Sequence, residues 1–154
     1  MKNKIKKLYH NNHNINNLAN SITNNKHVSC LGLIGSSKAF IVATTSDIIG
    51  GQNFIICSDK ERAAYFYNDL ENYYEEKEAD YSKKRVLFYP TSYKRPYEPE
   101  KADNTYILSR TEVLQRLSSS DRKAIVVTYP EALSEKVITR KTLNSNTFKL
   151  SVTD

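Results

Sequence analysis

The feature that most constrains this chain is a short apolar run followed by a stretch of helical periodicity, a pattern that occurs four times. The apolar runs span residues 28–33, 53–57, 85–89 and 124–129 and are rich in Val, Ile, Phe and Tyr. Such runs are typical of strands buried on both faces of a parallel sheet. Alternating strands and helices require right-handed crossovers. The sequence therefore predicts an α/β fold with a mostly parallel sheet of about four to five strands and helices on both faces.

The segments between the runs carry helix start and stop signals. The first predicted helix covers residues 38–49 and ends at a Gly-Gly pair, which terminates helices. The second opens with a capping box in which Ser58 and Glu61 satisfy each other's backbone donors. The third covers residues 104–117, and the fourth begins at Pro130, a residue favoured at the first helical position. The third helix is predicted to turn five residues inward: Ile107, Leu108, Thr111, Leu114 and Leu117.

The size and composition limit the class of protein. The chain has 154 residues, of which 39% are hydrophobic, and this is enough for one domain. No stretch approaches the roughly 20 apolar residues that a membrane-spanning helix needs. The basic start turns to Asn and His where a secretory signal would be apolar. We therefore expect a cytoplasmic protein without membrane contact, in which Cys30 and Cys57 are small buried residues that form neither a disulfide nor a zinc site.

Residues 1–27 are expected to form a basic, Asn-rich arm that contains one short helix. Residues 1–30 hold five lysines and no acidic residue. Such an arm is a candidate for electrostatic contact with nucleic acid, although in a nearly balanced chain it more often aids solubility. The histidines of the arm are expected to be solvated and not to bind a metal. Four apolar residues recur at helical spacing: Ile15, Leu18, Ala19 and Ile22.

The main domain is predicted to span residues 28–142. Residues 143–154 are predicted to form a strand and a linker into a following domain. Phe148, Leu150 and Val152 alternate with polar residues, which is typical of a strand with one solvated face. A strand so close to the last residue indicates a piece of a longer protein.

One segment resembles a phosphate-binding loop. It follows a predicted strand and opens a predicted helix, which is where such a loop belongs. The pattern G-x-x-x-x-G-K-[ST] needs glycines so that the backbone can surround the phosphates, a lysine to neutralise them and a hydroxyl to hold Mg²⁺. Two residues of the pattern are in register and two are replaced, the second glycine by serine and the hydroxyl residue by alanine. The residues of this loop are Gly32, Gly35, Ser36, Ser37, Lys38 and Ala39.

These two replacements predict that the loop does not hydrolyse nucleotides. Ala39 offers no oxygen ligand for Mg²⁺, and Ser37 carries a Cβ that costs roughly 1 to 2 kcal/mol if the residue must be left-handed. We therefore predict no catalytic residue and no metal site in this chain. Two interpretations stay open. One is a residual anion site at the helix amino terminus that uses Lys38 and free backbone N–H groups, and the other is an architectural remnant.

A loop rich in proline and tyrosine follows the third apolar run at residues 89–100. Its prolines keep the segment extended. As a nucleic-acid surface, it would stack bases on Tyr93 or Tyr97 while Lys94 and Arg95 contact phosphates. The alternative, which we favour, is structural: the tyrosines cover strand ends and the cations pair with nearby glutamates. In an open α/β sheet, this loop and the phosphate-type loop are expected at the same carboxyl edge.

Five segments resemble, in the same order, the amino-terminal module of the bacterial transcription-repair coupling factors (Mfd proteins), which is itself similar to the first domain of the excision-repair protein UvrB. The segments lie within residues 28–137 and read GLIGSSKAF, IICSDKERAAYFYNDLE, VLFYPTSYKRPYEPE, NTYILSRTEVLQRL and IVVTYPEALSEKV. The third is similar to the UvrB stretch that leads into its DNA-probing hairpin, although the hairpin insertion looks absent here. The resemblance implies a RecA-type, helicase-like fold with a degenerate phosphate loop.

The resemblance also implies a role. In that family, the whole protein is an ATP-dependent DNA translocase that displaces stalled RNA polymerase and recruits UvrA in nucleotide excision repair. The motor modules, which take ATP and Mg²⁺, lie elsewhere, so the resemblance implies no cofactor for this part. It implies a non-catalytic scaffold that holds the UvrA-binding domain and meets UvrA, RNA polymerase and DNA through neighbouring modules. The alternatives from the residues are a single-stranded DNA-binding domain and a residual nucleotide- or phosphate-binding domain.

Overall fold

The structure is a computed structural model that describes residues 2–80, 83–93, 104–118 and 123–146. The described helices are α1 (Lys2–His10), α2 (His13–Asn24), α3 (Ser37–Ile49), α4 (Lys60–Tyr74), α5 (Asn104–Ser118), α6 (Pro130–Ser134) and α7 (Arg140–Ser145). The described strands are β1 (Asn53–Ile56), β2 (Val86–Phe88) and β3 (Ile125–Thr128). None of the described helices is both long and apolar enough to cross a bilayer.

The three strands form a parallel sheet in the order β1-β3-β2. Asn53 and Val86 both lie opposite Ile125, which places β3 at the centre. All four residues of β3 are buried, and successive strand residues point to opposite faces. Both faces of the central strand are therefore covered, and α4 packs against β2 and β3 while α5 packs against β2. The α/β class and three of the predicted strands are confirmed.

The first predicted strand does not form. Residues 28–33 have no regular structure, and Leu31 is 92% exposed. The segment connects α2 to α3, and these two helices pack against each other. The connection therefore lies beside helices, where no strand is available for pairing. Cys30 is consequently exposed, and the prediction that it is buried was wrong. The predicted strand at residues 147–152 lies outside the described residues.

The arm folds as two helices, of which the second matches the predicted one. Ile15 and Ala19 are buried, because α2 packs against α3. Ile22, by contrast, is 38% exposed. Helix α1 also packs on α3, where the ring of Tyr9 lies 5.4 Å from that of Phe40.

The amino end of α4 is capped one residue later than predicted. The amide of Arg62 donates to Asp59 Oδ1 at 2.8 Å, while the Ser58 hydroxyl donates to Asp59 Oδ2 at 2.8 Å. The Asp59 carboxylate accepts both hydrogen bonds, one from the Arg62 amide and one from the Ser58 hydroxyl, so Asp59 is the N-cap. The predicted box between Ser58 and Glu61 was wrong. The predicted stop of α3 at Gly50, with φ of 71°, and the start of α6 at Pro130 are confirmed.

Helix α5 presents a different face to the sheet from the one predicted. Its buried residues are Arg110, Val113 and Arg116, whereas Leu108 is 69% exposed. The guanidinium of Arg110 donates to the carbonyl of Pro90 at 2.7 Å, and that of Arg116 donates to the carbonyl of Lys84 at 2.6 Å. These charge-assisted bonds fix the rotation of the helix. The prediction that Leu108 points inward was therefore wrong.

Candidate functional site

The phosphate-type loop begins α3 and is exposed over most of its length. Gly32 and Gly35 have φ angles of +79° and +54°, which non-glycine residues rarely adopt. The Lys38 side chain is exposed, and within the described part of the chain it makes no hydrogen bond or ion pair. The loop therefore has the glycine conformations and the free cation of an anion-binding turn.

The two replaced positions have structural roles. Ala39 has no exposed surface and belongs to the hydrophobic core. The hydroxyl of Ser37 donates to the carbonyl of Ile34, within the loop itself. Ser37 is the first residue of α3, and among the described non-glycine residues only Glu75 has a positive φ. Serine at position 37 is therefore unstrained, and the side chain at position 39 faces the core.

Part of the backbone of this loop is already hydrogen-bonded. The amide of Lys38 donates to the carbonyl of Gly35 at 3.3 Å, and the amide of Ala39 donates to the carbonyl of Ser36 at 3.1 Å. In a phosphate loop such amides converge on the anion. Here these two amides are used within the turn, so they are not free to bind an anion.

A second candidate site lies at the carboxyl edge of the sheet, where ligands usually bind in open α/β folds. It is a cavity of about 760 Å³. Its walls come from the start of α4, the loop after β2 and the start of α6. The described lining residues are Asp59, Lys60, Glu61, Arg62, Tyr65, Thr91, Tyr93, Tyr129 and Glu131. Residues of the phosphate-type loop do not appear among these described lining residues, so the cavity does not confirm the prediction that both loops lie at the same carboxyl edge.

The loop after β2 is held in place by a buried tyrosine. The amide of Thr91 donates to the hydroxyl oxygen of Tyr129 at 3.0 Å, and the two side-chain hydroxyls are 3.2 Å apart. The Thr91 hydroxyl in turn donates to the carbonyl of Tyr93 at 3.0 Å. These bonds position Tyr93 on the cavity wall. Of the predicted nucleic-acid contacts, only Tyr93 is described; Lys94, Arg95 and Tyr97 lie outside the described residues.

A buried ion pair braces the same loop against α6. Arg110 Nη1 lies 3.3 Å from Glu135 Oε2 and also donates to the carbonyl of Ala132 at 3.1 Å. Glu135 accepts a hydrogen bond of 2.9 Å from the amide of Ser92. The Arg110 guanidinium stacks 4.2 Å from the ring centre of Tyr89. Burial raises the pKa of Tyr89, which Arg110 partly offsets. This brace was not anticipated, because an arginine on a helix normally indicates a solvated face.

The electrostatics of the cavity disfavour a phosphate. The Asp59 carboxylate occupies the amino end of α4, where a bound anion would otherwise be stabilised. The pKa of Asp59 is lowered, first by the hydrogen bond from the Arg62 amide and then by the one from the Ser58 hydroxyl, so it stays charged at neutral pH. Burial and this nearby charge raise the pKa of the Cys57 thiol. The cavity thus combines three carboxylates, two cations and three tyrosines.

Such a lining suits recognition of a polypeptide more than catalysis. Tyrosine and arginine are enriched at protein interfaces, and Tyr65 is 74% exposed at the rim. The ammonium of Lys60 lies 4.9 Å from the ring centre of Tyr106, which keeps that wall ordered. The described residues contain no group of three or more His, Cys, Asp or Glu side chains placed to hold a metal ion.

Comparison with known proteins gives no relative. No protein-family model matches the chain, and no curated protein or solved structure matches it.

Proposed function

We propose that this chain is a non-catalytic scaffold and interaction module of the kind found at the amino terminus of transcription-repair coupling factors. The resemblance of five ordered segments supports this proposal. The parallel order β1-β3-β2 is compatible with a RecA-type, helicase-derived domain of which these strands are one part. The whole protein would then act in the cytoplasm as an ATP-dependent DNA translocase, with ATP and Mg²⁺ at other modules.

The burial of Ala39 is the observation that carries the proposal. A metal-dependent nucleotide site needs a hydroxyl at this position facing the phosphates. In this chain the position is filled by a methyl group inside the core, and the neighbouring Ser37 hydroxyl bonds to its own loop. The segment therefore serves as the start of a packed helix.

The cavity at the carboxyl edge supports the interaction role. It is formed by braced loops, so its shape is set before a partner arrives, which lowers the entropic cost of binding. Its mixed charges and tyrosines suit a polar segment of a neighbouring module or protein. We assign contact with UvrA, RNA polymerase and DNA to those neighbouring modules.

Thermal unfolding in the presence of nucleotide tests the proposal that the module is non-catalytic. A site with a dissociation constant of about 10 μM would stabilise the fold by about 2.7 kcal/mol at a hundredfold excess of free ligand, which is several degrees at this size. We expect MgATP to raise the unfolding temperature no more than an equal concentration of pyrophosphate does. Equal small rises would indicate a residual phosphate site at Lys38. A larger, magnesium-dependent rise would contradict the proposal.

The coding sequence beyond residue 154 tests the proposal that the chain belongs to the coupling-factor family. If the resemblance is correct, it should encode a UvrA-contacting domain directly afterwards and, several modules later, helicase motifs with a complete G-x-x-x-x-G-K-[ST] loop. If the gene encodes no complete set of helicase motifs after this module, the assignment to the coupling factors is wrong. The conclusion that position 39 is structural would stand in that case.

A further inference from the structure

The net charge of the chain comes from its first third. Residues 1–46 contain six lysines and no Asp or Glu, which leaves 17 basic and 17 acidic residues for residues 47–154. The formal net charge of +6 therefore belongs to one continuous segment. A segment of this length without an acidic side chain cannot neutralise its own lysines.

The fold gathers this segment into one helical layer. Helices α1, α2 and α3 pack against one another, α3 also packs against α4, and Lys6 of α1 lies 4.9 Å from the ring centre of Tyr73 on α4. Lys4, Lys7, Lys26 and Lys38 are exposed on this layer. In the part of the chain that the structure describes, none of these four side chains has an ion-pair or hydrogen-bond partner. The layer is therefore an unneutralised cationic face.

Acidic residues near the layer do not reduce this charge. Asp47, the first carboxylate of the chain, lies at the end of α3, where Arg85 forms an ion pair with it and His10 Nε2 lies 3.5 Å away. Elsewhere the buried cations have carboxylate partners, as in the pair of Lys84 with Glu71. The excess positive charge therefore belongs to the α1–α3 layer.

From this distribution we propose that the α1–α3 layer binds the phosphate backbone of nucleic acid without reading its sequence. Separate exposed lysines match a polymer of repeating charge, and α2 adds exposed side-chain amides, such as those of Asn14 and Asn20, that can donate hydrogen bonds to phosphates. A membrane surface fits less well, because an interfacial helix requires a broad apolar face, and α2 exposes mainly asparagines. Two of the most exposed apolar side chains of this segment, Leu8 and Leu31, belong to α1 and to the connection between α2 and α3. This surface is separate from the carboxyl-edge cavity, and it does not depend on the proposed scaffold role.

Fluorescence anisotropy of a short labelled DNA duplex tests the proposal with the 154-residue chain. Each lysine–phosphate contact adds about 0.9 to the slope of log affinity against log salt. Four contacts predict a loss of roughly 100-fold in affinity between about 50 and 200 mM salt. The double variant Lys4→Gln/Lys7→Gln should lower that slope by about 1.8. The matched control Lys136→Gln/Lys141→Gln removes the same charge from exposed positions elsewhere and should leave the slope unchanged.

Three results would overturn the proposal. The first is no binding of the duplex at low salt, and the second is an equal loss of affinity in the control variant. The third is stronger binding to vesicles of phosphatidylserine and phosphatidylcholine in equal parts than to the duplex. If Lys4→Gln/Lys7→Gln loses its helical circular dichroism, the variant Lys26→Gln/Lys38→Gln replaces it, because both of these side chains are exposed.

Discussion

Restoring the missing hydroxyl of the phosphate-type loop should damage the fold and should not create a nucleotide site. The substitution Ala39→Thr adds a methyl group and a hydroxyl at a position with no exposed surface. Overpacking a core by this amount costs about 1 to 3 kcal/mol, and a buried hydroxyl without a partner costs about 1 to 3 kcal/mol more. The new hydroxyl can bond to a carbonyl one turn earlier, which offsets part of the second cost.

We therefore expect Ala39→Thr to lower the free energy of unfolding by about 3 kcal/mol. At this chain length, that corresponds to a fall of roughly 6 to 12 °C in the unfolding temperature. Urea unfolding followed by circular dichroism measures the free energy, and a parallel thermal scan with MgATP measures any gain in nucleotide affinity. The matched control is Lys38→Gln, which changes an exposed neighbour and should alter stability by less than about 0.5 kcal/mol.

One result would refute this reasoning. If Ala39→Thr unfolds at the original temperature and gains a magnesium-dependent rise with ATP that the unmodified chain lacks, then position 39 faces a ligand and not the core. The loop would then be a nucleotide site that lacks only its metal ligand. A destabilised variant with no nucleotide response supports the structural role.

Three further predictions concern the polar groups. Lys84→Met should lower the free energy of unfolding by about 3 kcal/mol in urea titrations, because it leaves the buried Glu71 carboxylate without its cation; Lys84→Met/Glu71→Leu should recover most of the loss. Folding lowers the Asp59 pKa below its unfolded value of 3.8, so the contribution of Asp59 to stability is lost as the pH falls through the folded pKa. In Asp59→Asn, the free energy of unfolding should therefore depend less on pH in the acidic range. Glu135→Ala should speed hydrogen exchange of the Ser92 amide, which donates to that carboxylate.

The sequence predicts the elements that local signals define. The glycine after α3, the proline that begins α6 and the apolar runs of β1, β2 and β3 all act within a few residues. Each was found where the pattern indicated. The burial of Ala63 and Leu70 on α4 follows from helical periodicity in the same way.

The predictions that failed depend on distant partners. Residues 28–33 have the composition of a buried strand, but whether a run joins a sheet depends on an available neighbour, and this one lies between two helices that pack together. Leu108 reads as a core residue on its helix, yet hydrogen bonds from Arg110 and Arg116 to carbonyls of other elements turn it outward. Composition and periodicity carry no information about such contacts.

For the candidate sites too, the sequence predicts local features and misses those that depend on distant contacts. The sequence identifies the phosphate-type loop and its two replaced positions, and it predicts that Ala39 provides no metal ligand. It does not reveal that the methyl group packs into the core, since that depends on how α3 lies on α4. The carboxyl-edge cavity was missed except for Tyr93, because its walls come from three separate segments. One signal could have located this cavity: the general rule that loops after parallel strands converge at one edge of the sheet.

The buried arginine of α5 connects the fold to the cavity. Arg110 donates to carbonyls of both Pro90, in the loop after β2, and Ala132, in α6. Glu135, which pairs with Arg110, also accepts a hydrogen bond from the Ser92 amide of the same loop. A guanidinium in this position cannot leave without exposing two carbonyls and a carboxylate to an apolar interior. The loop and α6 are therefore held together, and the rotation of α5 sets the shape of the cavity edge. A partner that docks there meets a preformed surface, and a change in α5 would alter its binding without touching any residue that lines the cavity.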